Sequence, residues 1–196
     1  MLHLPIFVTL AGRRVILVGD GEAAEAKARL VHAAGGEIAG EDAADAVLAF
    51  VALDDDADAQ AAASRLRARG LLVNVVDKPA LSDFLMGAII DRAPVTLAIS
   101  TAGASASLAR ALRTRLEALL PASLGPLARA ILAARDAVSA HHPTPSDRRR
   151  LWERALAQGG PLDPFAALVD PQAAVAAVID GASAATPELL AITITS

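Results

Sequence analysis

Residues Arg14–Gly21 read R-V-I-L-V-G-D-G, and a segment rich in Ala, Glu, Lys and Arg follows without a gap. Four apolar β-formers run into a Gly-x-Gly turn and then into a helix-forming stretch. That order matches the first strand, turn and helix of a dinucleotide-binding unit. Gly19 lets the chain reverse sharply. Gly21 lets the backbone approach a pyrophosphate, which the positive end of a helix favours. Ala24 takes the third small position, where strand and helix pack closely. Gly19, Asp20, Gly21, Glu22, Ala23 and Ala24 are therefore the candidate cofactor residues. An acid about 20 positions beyond such a turn holds the adenosine ribose, and Glu41 or Asp42 is the candidate for it.

Outward from this turn, short β-rich runs alternate with helical stretches as far as Leu120, the pattern of a parallel α/β sheet. Strands are expected at Arg14–Val18, Glu37–Ala39, Val47–Ala52, Leu71–Val76 and Val95–Ser100, and helices at Glu22–Ala34, Asp56–Arg69 and Ser105–Leu120. Beyond Pro121 the chain turns helical, with helices expected at Leu127–Ala140 and Pro145–Gln158 and weaker pieces at Pro164–Leu168 and Pro171–Ile179. The final I-T-I-T-S reads as an edge strand or a loose tail. The expected fold is thus α/β: a Rossmann-like domain over 1–120 and a mainly helical region over 121–196. Only Gly40–Ala46 separates the second and third strands. A parallel crossover ordinarily needs a dozen or more residues, so the first half of the nucleotide fold is expected to be shortened.

Two further segments carry chemistry. Asp77 ends the run V-N-V-V-D, at the carboxyl end of an expected strand, where ligands of open α/β sheets lie. The segment S-T-A-G-A-S-A-S-L-A-R-A-L-R, Ser100–Arg113, is a hydroxyl- and glycine-rich loop opening a helix. Its hydroxyls and free N–H groups suit an anion, and an ordinary helix cap is the competing reading. Arg110 and Arg113 follow on the helix. Asn74 within a strand either binds substrate or satisfies a local backbone group. The acidic run Asp54–Asp56 with Asp58 reads as a helix start rather than a metal cluster, and no His/Glu spacing resembles a permanent metal site.

Composition narrows the function classes. The 196 residues are 54% hydrophobic but only 3% aromatic, much of the apolar share being Ala. No run approaches the roughly 18–20 apolar residues of a membrane-spanning helix, and Met1–Phe7 lacks the pattern of a signal peptide. A cytoplasmic protein without membrane attachment is expected. The net charge of −4 argues against nucleic acid as a partner. The absence of cysteine excludes disulfides, thiolate metal sites and a cysteine nucleophile.

The order of motifs resembles the dehydrogenase/chelatase part of siroheme synthase, the precorrin-2 dehydrogenase/sirohydrochlorin ferrochelatase family. The resemblance is carried by L-P-I-F (Leu4–Phe7), Gly12–Leu30, V-N-V-V-D (Val73–Asp77), F-L-M-G-A-I-I-D-R-A-P (Phe84–Pro94), Ala98–Arg113 and L-E-A-L-L-P (Leu116–Pro121), with R-R-R-L-W-E at Arg148–Glu153 in the tail. It implies NAD-dependent oxidation of precorrin-2 to sirohydrochlorin, with insertion of ferrous iron as a possible second activity. It also implies a homodimer and Asp77 as the catalytic acid/base; with a tetrapyrrole as substrate, Ser100, Thr101, Gly103, Ser105, Arg110 and Arg113 are the candidates for its carboxylates, and Asn74 is a substrate-binding candidate beside its local backbone reading. The family's usual G-G-G turn is G-D-G here, and S-x-G-G-x-S-P reads S-T-A-G-A-S-A, with Ala102 and Ala106 as the replacements. The competing readings are a chelatase without NAD turnover and a non-enzymatic dinucleotide-sensing dimer.

Overall fold

The computed structural model describes residues 2–181, so the I-T-I-T-S segment lies outside the described residues. By compactness the described chain forms two units, 2–87 with Ser100–Ala106, and Ala88–Ile99 with 107–181.

The first unit is a four-stranded parallel sheet in the order β2-β1-β3-β4, built from β1 (Arg14–Gly19), β2 (Glu37–Ala39), β3 (Leu48–Ala52) and β4 (Leu72–Val75). All three pairings are parallel, with Val15 opposite both Ile38 and Leu48, and Phe50 opposite Asn74. Alternate residues of each strand supply the two faces. On one face, Ile16, Ala49, Val51, Val73 and Val75 pack against Ala59, Ala62, Ala63 and Leu66 of helix α2 (Asp56–Ala68). On the other, Val15, Leu48 and Phe50 pack against Val31 of helix α1 (Gly21–Ala33). The Asp55 carboxylate caps α2, accepting from the N–H groups of Ala57 and Asp58 at 2.9 Å. The acidic run is therefore a helix start, as expected.

The short crossover from β2 to β3 contains no helix. Residues 40–46 pass on the α2 side of β1, with Ala43 buried in the α2-facing core and Ala46 packed against it, and arginines fix the link from outside. Arg65 of α2 grips the Glu41 carboxylate (Nε–Oε1 2.8 Å), Arg69 donates to the carbonyls of Glu41 and Ala43, and Arg14 of β1 pairs with Asp45 at 3.0 Å. The shortened first half is thus held by side chains where a helix would otherwise cover the sheet.

The outer edge of β4 is closed by the segment that follows it. Val73 exchanges bonds with Asp83, its N–H donating to Oδ2 at 2.9 Å and its carbonyl accepting from the Asp83 N–H at 2.8 Å. The Val75 N–H donates to Ser82 Oγ at 2.9 Å. Arg67 of α2 clamps Asp83 at 2.9 Å.

In the second unit, β5 (Ala88–Arg92) and β6 (Val95–Ile99) form an antiparallel hairpin. This corrects the expectation that Val95–Ser100 joins the parallel sheet. Only Ala93 and Pro94 separate the two strands, and so short a link admits only antiparallel pairing. Ile90 of the hairpin is buried with Leu116, Leu120 and Leu124, and the Arg92 guanidinium reaches the Glu117 and Leu120 carbonyls at 3.4 Å. These contacts tie the hairpin to helix α3 (Ala106–Leu119). The hairpin and most of α3 therefore group with the C-terminal helices rather than with the rest of 1–120. The expected helix Leu127–Ala140 is two, α4 (Leu124–Ala133) and α5 (Arg135–His141), parted at Ala134. The Thr144 side chain caps α6 (Pro145–Ala155), and Asp170 caps α7 (Pro171–Ile179). Leu127, Val138, Ala155, Leu162, Val175 and Ile179 form the core of these helices, with Trp152 half-buried against it. Pro164–Leu168 is not helical. Among the described residues no single helix is long and apolar enough to cross a membrane.

Candidate active site

Gly19 ends β1 with φ +107°, opposite Ala52 of β3. A Cβ at Gly19 would stand 2.0 Å from the Ala52 carbonyl oxygen, so only glycine permits this approach. The chain leaves β1 toward β2 on one side and returns to β3 on the other. The Gly19–Ala52 junction is thus the switch point, where open α/β sheets bind their ligands. Asp20 stands at the N-cap of α1 in extended conformation, and its carboxylate makes no cap bond. Gly21 opens α1 at φ +76°, and a Cβ there would meet nothing within 4 Å. Ala24 is buried beneath. The turn therefore presents a helix N-terminus without a side-chain cap beside open space at Gly21, a place that could hold an anionic group of a cofactor.

Asp77 stands just beyond β4 at the same end of the sheet. The Val76 N–H donates to the Val51 carbonyl at 2.9 Å, so β3 alone separates this strand end from Gly19. Two strand spacings amount to about 10 Å. Asp77 is exposed and adopts φ +58°. Non-glycine residues enter this region seldom, and such positions cluster at functional sites. The next residue fixes the turn. Lys78 Nζ donates to the Leu53 and Asp54 carbonyls at 3.0 and 2.7 Å and pairs with Asp56 at 2.8 Å, locking the end of β4 to the end of β3.

The loop Ser100–Ala106 lies against the same turn, where a Cβ at Gly103 would stand 3.6 Å from Pro79 Cγ. Its hydroxyls organise the loop itself. Thr101 Oγ1 donates to the Ser105 carbonyl at 3.1 Å and accepts from the Ser105 N–H at 3.3 Å, and Ser100 Oγ accepts from the Ala102 N–H at 3.1 Å. Ala102, where the family pattern has glycine, sits at φ +53°. Asp77 and Ala102 are the two non-glycine residues at positive φ among the described residues. Both belong to this assembly.

Other expected residues are placed differently. The buried Asn74 donates from Nδ2 to the Phe84 carbonyl at 2.8 Å, the local backbone role. Glu41 and Asp42 do follow the end of β2, but the Glu41 carboxylate is held by Arg65, whose hydrogen bond keeps it below the usual glutamate range. Asp42 is exposed beside it. Arg110 and Arg113 lie on α3 in the second unit. Arg113 pairs with Glu117 at 3.5 Å, and Arg110 lines a shallow groove with Ser107, Ala111, Thr114 and Arg115.

Lys27 was not singled out by sequence reasoning. It is half-buried on α1, its Nζ 6.0 Å from the centroid of the Phe50 ring, and Asp77 is the charge that acts on it. The available signal was scarcity, since the chain has lysine only here and at Lys78.

Residues 30–88 match an NAD(P)-binding family, and residues 123–177 match the sirohaem synthase dimerisation region. Siroheme synthase of Chromobacterium violaceum is 41% identical over 189 residues, covering 83% of this chain and 40% of the relative. Siroheme synthase of Escherichia coli is 39% identical over 181 residues, covering 79% of this chain and again 40% of the relative. The chain thus spans 40% of the length of the curated relatives it matches. The solved structure of SirC, a precorrin-2 dehydrogenase, superposes with a TM-score of 0.66 at 19% identity, covering 91% of this chain and 100% of that one, and so shares the fold.

Proposed function

The chain belongs to the siroheme synthase family, and we propose on that premise that it oxidises precorrin-2 to sirohydrochlorin with NAD. The carrying observation is Asp77, an exposed carboxylate in a strained turn, two strands from a glycine junction shaped for a pyrophosphate.

NAD bound at Gly19–Gly21 supplies the acceptor of the hydride leaving the macrocycle. Gly19, Asp20 and Gly21 would leave room for its pyrophosphate, and the N–H groups of Glu22 and Ala23 would meet the negative charge. Asp42 would hold the adenosine ribose, with Glu41 held next to it by Arg65. Asp77 accepts the proton that must leave as the hydride does, so that two electrons and two protons depart in balance, one proton with the hydride. The Ser100–Ser105 loop, through backbone N–H groups and the Ser100 and Ser105 hydroxyls, meets substrate carboxylates. Arg110 and Arg113 of α3 are further candidates to pair with carboxylates of the tetrapyrrole. With ferrous iron as substrate, the same carboxylate removes pyrrole N–H protons, which extends the activity to a ferrochelatase lyase step. The active form is a homodimer made through residues 123–177. The match to a dimerisation region supports this, as do Leu132, Phe165 and Val169 exposed within it.

The test is formation of NADH when the full chain is given NAD and precorrin-2. The wild type turns over. Asp77→Asn keeps the shape of the turn and loses about 100-fold or more in kcat, the scale of a missing general base. Full turnover in Asp77→Asn removes the assignment. NAD binding without turnover removes the dehydrogenase reading, and metal insertion in that case leaves a chelatase.

A further inference from the structure

The chain's two lysines are used differently. Lys78 is consumed by structure, its ammonium satisfied by two carbonyls and Asp56. Lys27 is half-buried, yet among the described residues no carboxylate lies within ion-pair distance of it. An ammonium withdrawn from water without a counter-ion is unfavourable. Burial accordingly pushes the Lys27 pKa below the ordinary lysine value, while the Asp77 charge opposes the shift.

The direction of the side chain is set by the helix. Side chains lean toward the N-terminus of their helix, and the N-terminus of α1 is at Gly21, at the carboxyl ends of the strands. Lys27 therefore reaches toward the end of the sheet that carries Gly19 and Asp77. Beneath it lies an aromatic floor. The Phe50 and Phe84 rings meet edge to face at 5.6 Å, and Asn74 holds the Phe84 carbonyl that fixes this arrangement. Phe50 is on β3, with β4 as its neighbour, so Lys27 stands over the strands leading to Asp77. The pyrophosphate already has the N–H groups at the start of α1, beside β1.

Resting on the function proposed above, we propose that Lys27 is a substrate-binding residue whose ammonium pairs with one carboxylate of the tetrapyrrole and so sets the macrocycle against Asp77. It supplies the counter-ion relationship that the free chain lacks.

The experiment uses the full chain with Lys27→Met and Lys27→Arg. Sirohydrochlorin is titrated against each and followed by its own absorbance, NAD affinity is measured by calorimetry, and precorrin-2 turnover is recorded. In Lys27→Met, sirohydrochlorin binding weakens and KM for precorrin-2 rises, each by about tenfold or more, the equivalent of about 1.4 kcal/mol. NAD affinity and thermal stability stay within twofold and a few degrees of the wild type. Lys27→Arg keeps the charge and restores tetrapyrrole affinity to within a few-fold. Unchanged tetrapyrrole affinity in Lys27→Met overturns the assignment, as does a loss confined to NAD. A wild type that oxidises precorrin-2 while Lys27→Met behaves identically sinks Lys27 alone. A wild type that neither binds sirohydrochlorin nor oxidises precorrin-2 sinks the functional reading with it.

Discussion

Alanine at Gly19 and alanine at Gly21 should fail in opposite ways, and the contrast tests whether this turn is a cofactor cradle. At Gly19 the new Cβ would lie 2.0 Å from the Ala52 carbonyl oxygen, about 1.3 Å short of the ~3.3 Å of a close C···O contact. The neighbour is strand backbone, so β1 and β3 must part at their ends. Backbone strain at φ +107° adds roughly 1–3 kcal/mol, and overpacking adds a similar amount. A loss of about 3 kcal/mol lowers the melting temperature of a chain this size by about 6–12 °C. At Gly21 the Cβ meets nothing within 4 Å, so only the left-handed strain of about 1 kcal/mol applies, worth about 2–4 °C. That Cβ nevertheless occupies the space in front of the helix N–H groups. NAD affinity should fall about tenfold or more in Gly21→Ala, about 1.4 kcal/mol. Thermal unfolding followed by circular dichroism, with NAD titration by calorimetry, measures both. A Gly19→Ala protein that melts with the wild type, or a Gly21→Ala protein that binds NAD normally, refutes the reasoning.

The remaining predictions concern what holds the site in place. Lys78→Met removes three acceptor contacts of an ammonium and should cost about 1.5–3 kcal/mol, with a fall in kcat because the Asp77 turn loosens. Chemical denaturation and turnover read the two effects, and a stable variant with normal kcat contradicts the positioning role. Arg69→Ala leaves the Glu41 and Ala43 carbonyls without their donor and should cost about 1–2 kcal/mol, whereas Arg65→Ala, losing an exposed pair, should cost less at neutral pH. The folded-state pKa of Glu41 is depressed, first by its bond to Arg65, so this contribution is complete above the ordinary glutamate range and fades as pH falls below it. Stability curves of wild type and Arg65→Ala should therefore converge on acidification. Curves that stay parallel would show the pair to be energetically silent.

The turn at Gly19–Gly21 was legible because its determinants are contiguous: strand, glycines and helix follow one another, and each residue's role depends on near neighbours. Asp77 was legible for a similar reason, at the end of an apolar run. The crossover was not. Its closure depends on Arg65 and Arg69 reaching Glu41 from α2, over 20 positions away in sequence, and no local pattern announces such a clamp. The hairpin was missed on its first strand. Ala88–Arg92 follows Met86 and Gly87 in one apolar stretch, and only the short link at Ala93–Pro94 betrays the antiparallel return. Lys27 escaped notice because a lysine in an Ala-rich helix reads as a solvated position. Its ammonium stands 6.0 Å from the centroid of the Phe50 ring, on a strand that the helix meets only in the folded state. Ser100 and Thr101 were read as ligand donors, and the fold shows that loop architecture uses part of their capacity.

The sealing of β4 by Ser82 and Asp83 has a consequence beyond local order. A bare border of a parallel sheet is a template onto which a foreign strand can add, and intermolecular growth of that kind leads to aggregates. Here a hydroxyl and a carboxylate occupy the donors of Val75 and Val73, and a neighbouring main chain returns to the Val73 carbonyl. The sheet can stop at four strands without recruiting more, which frees the chain beyond Gly87 to build a unit of its own instead of completing the usual second half.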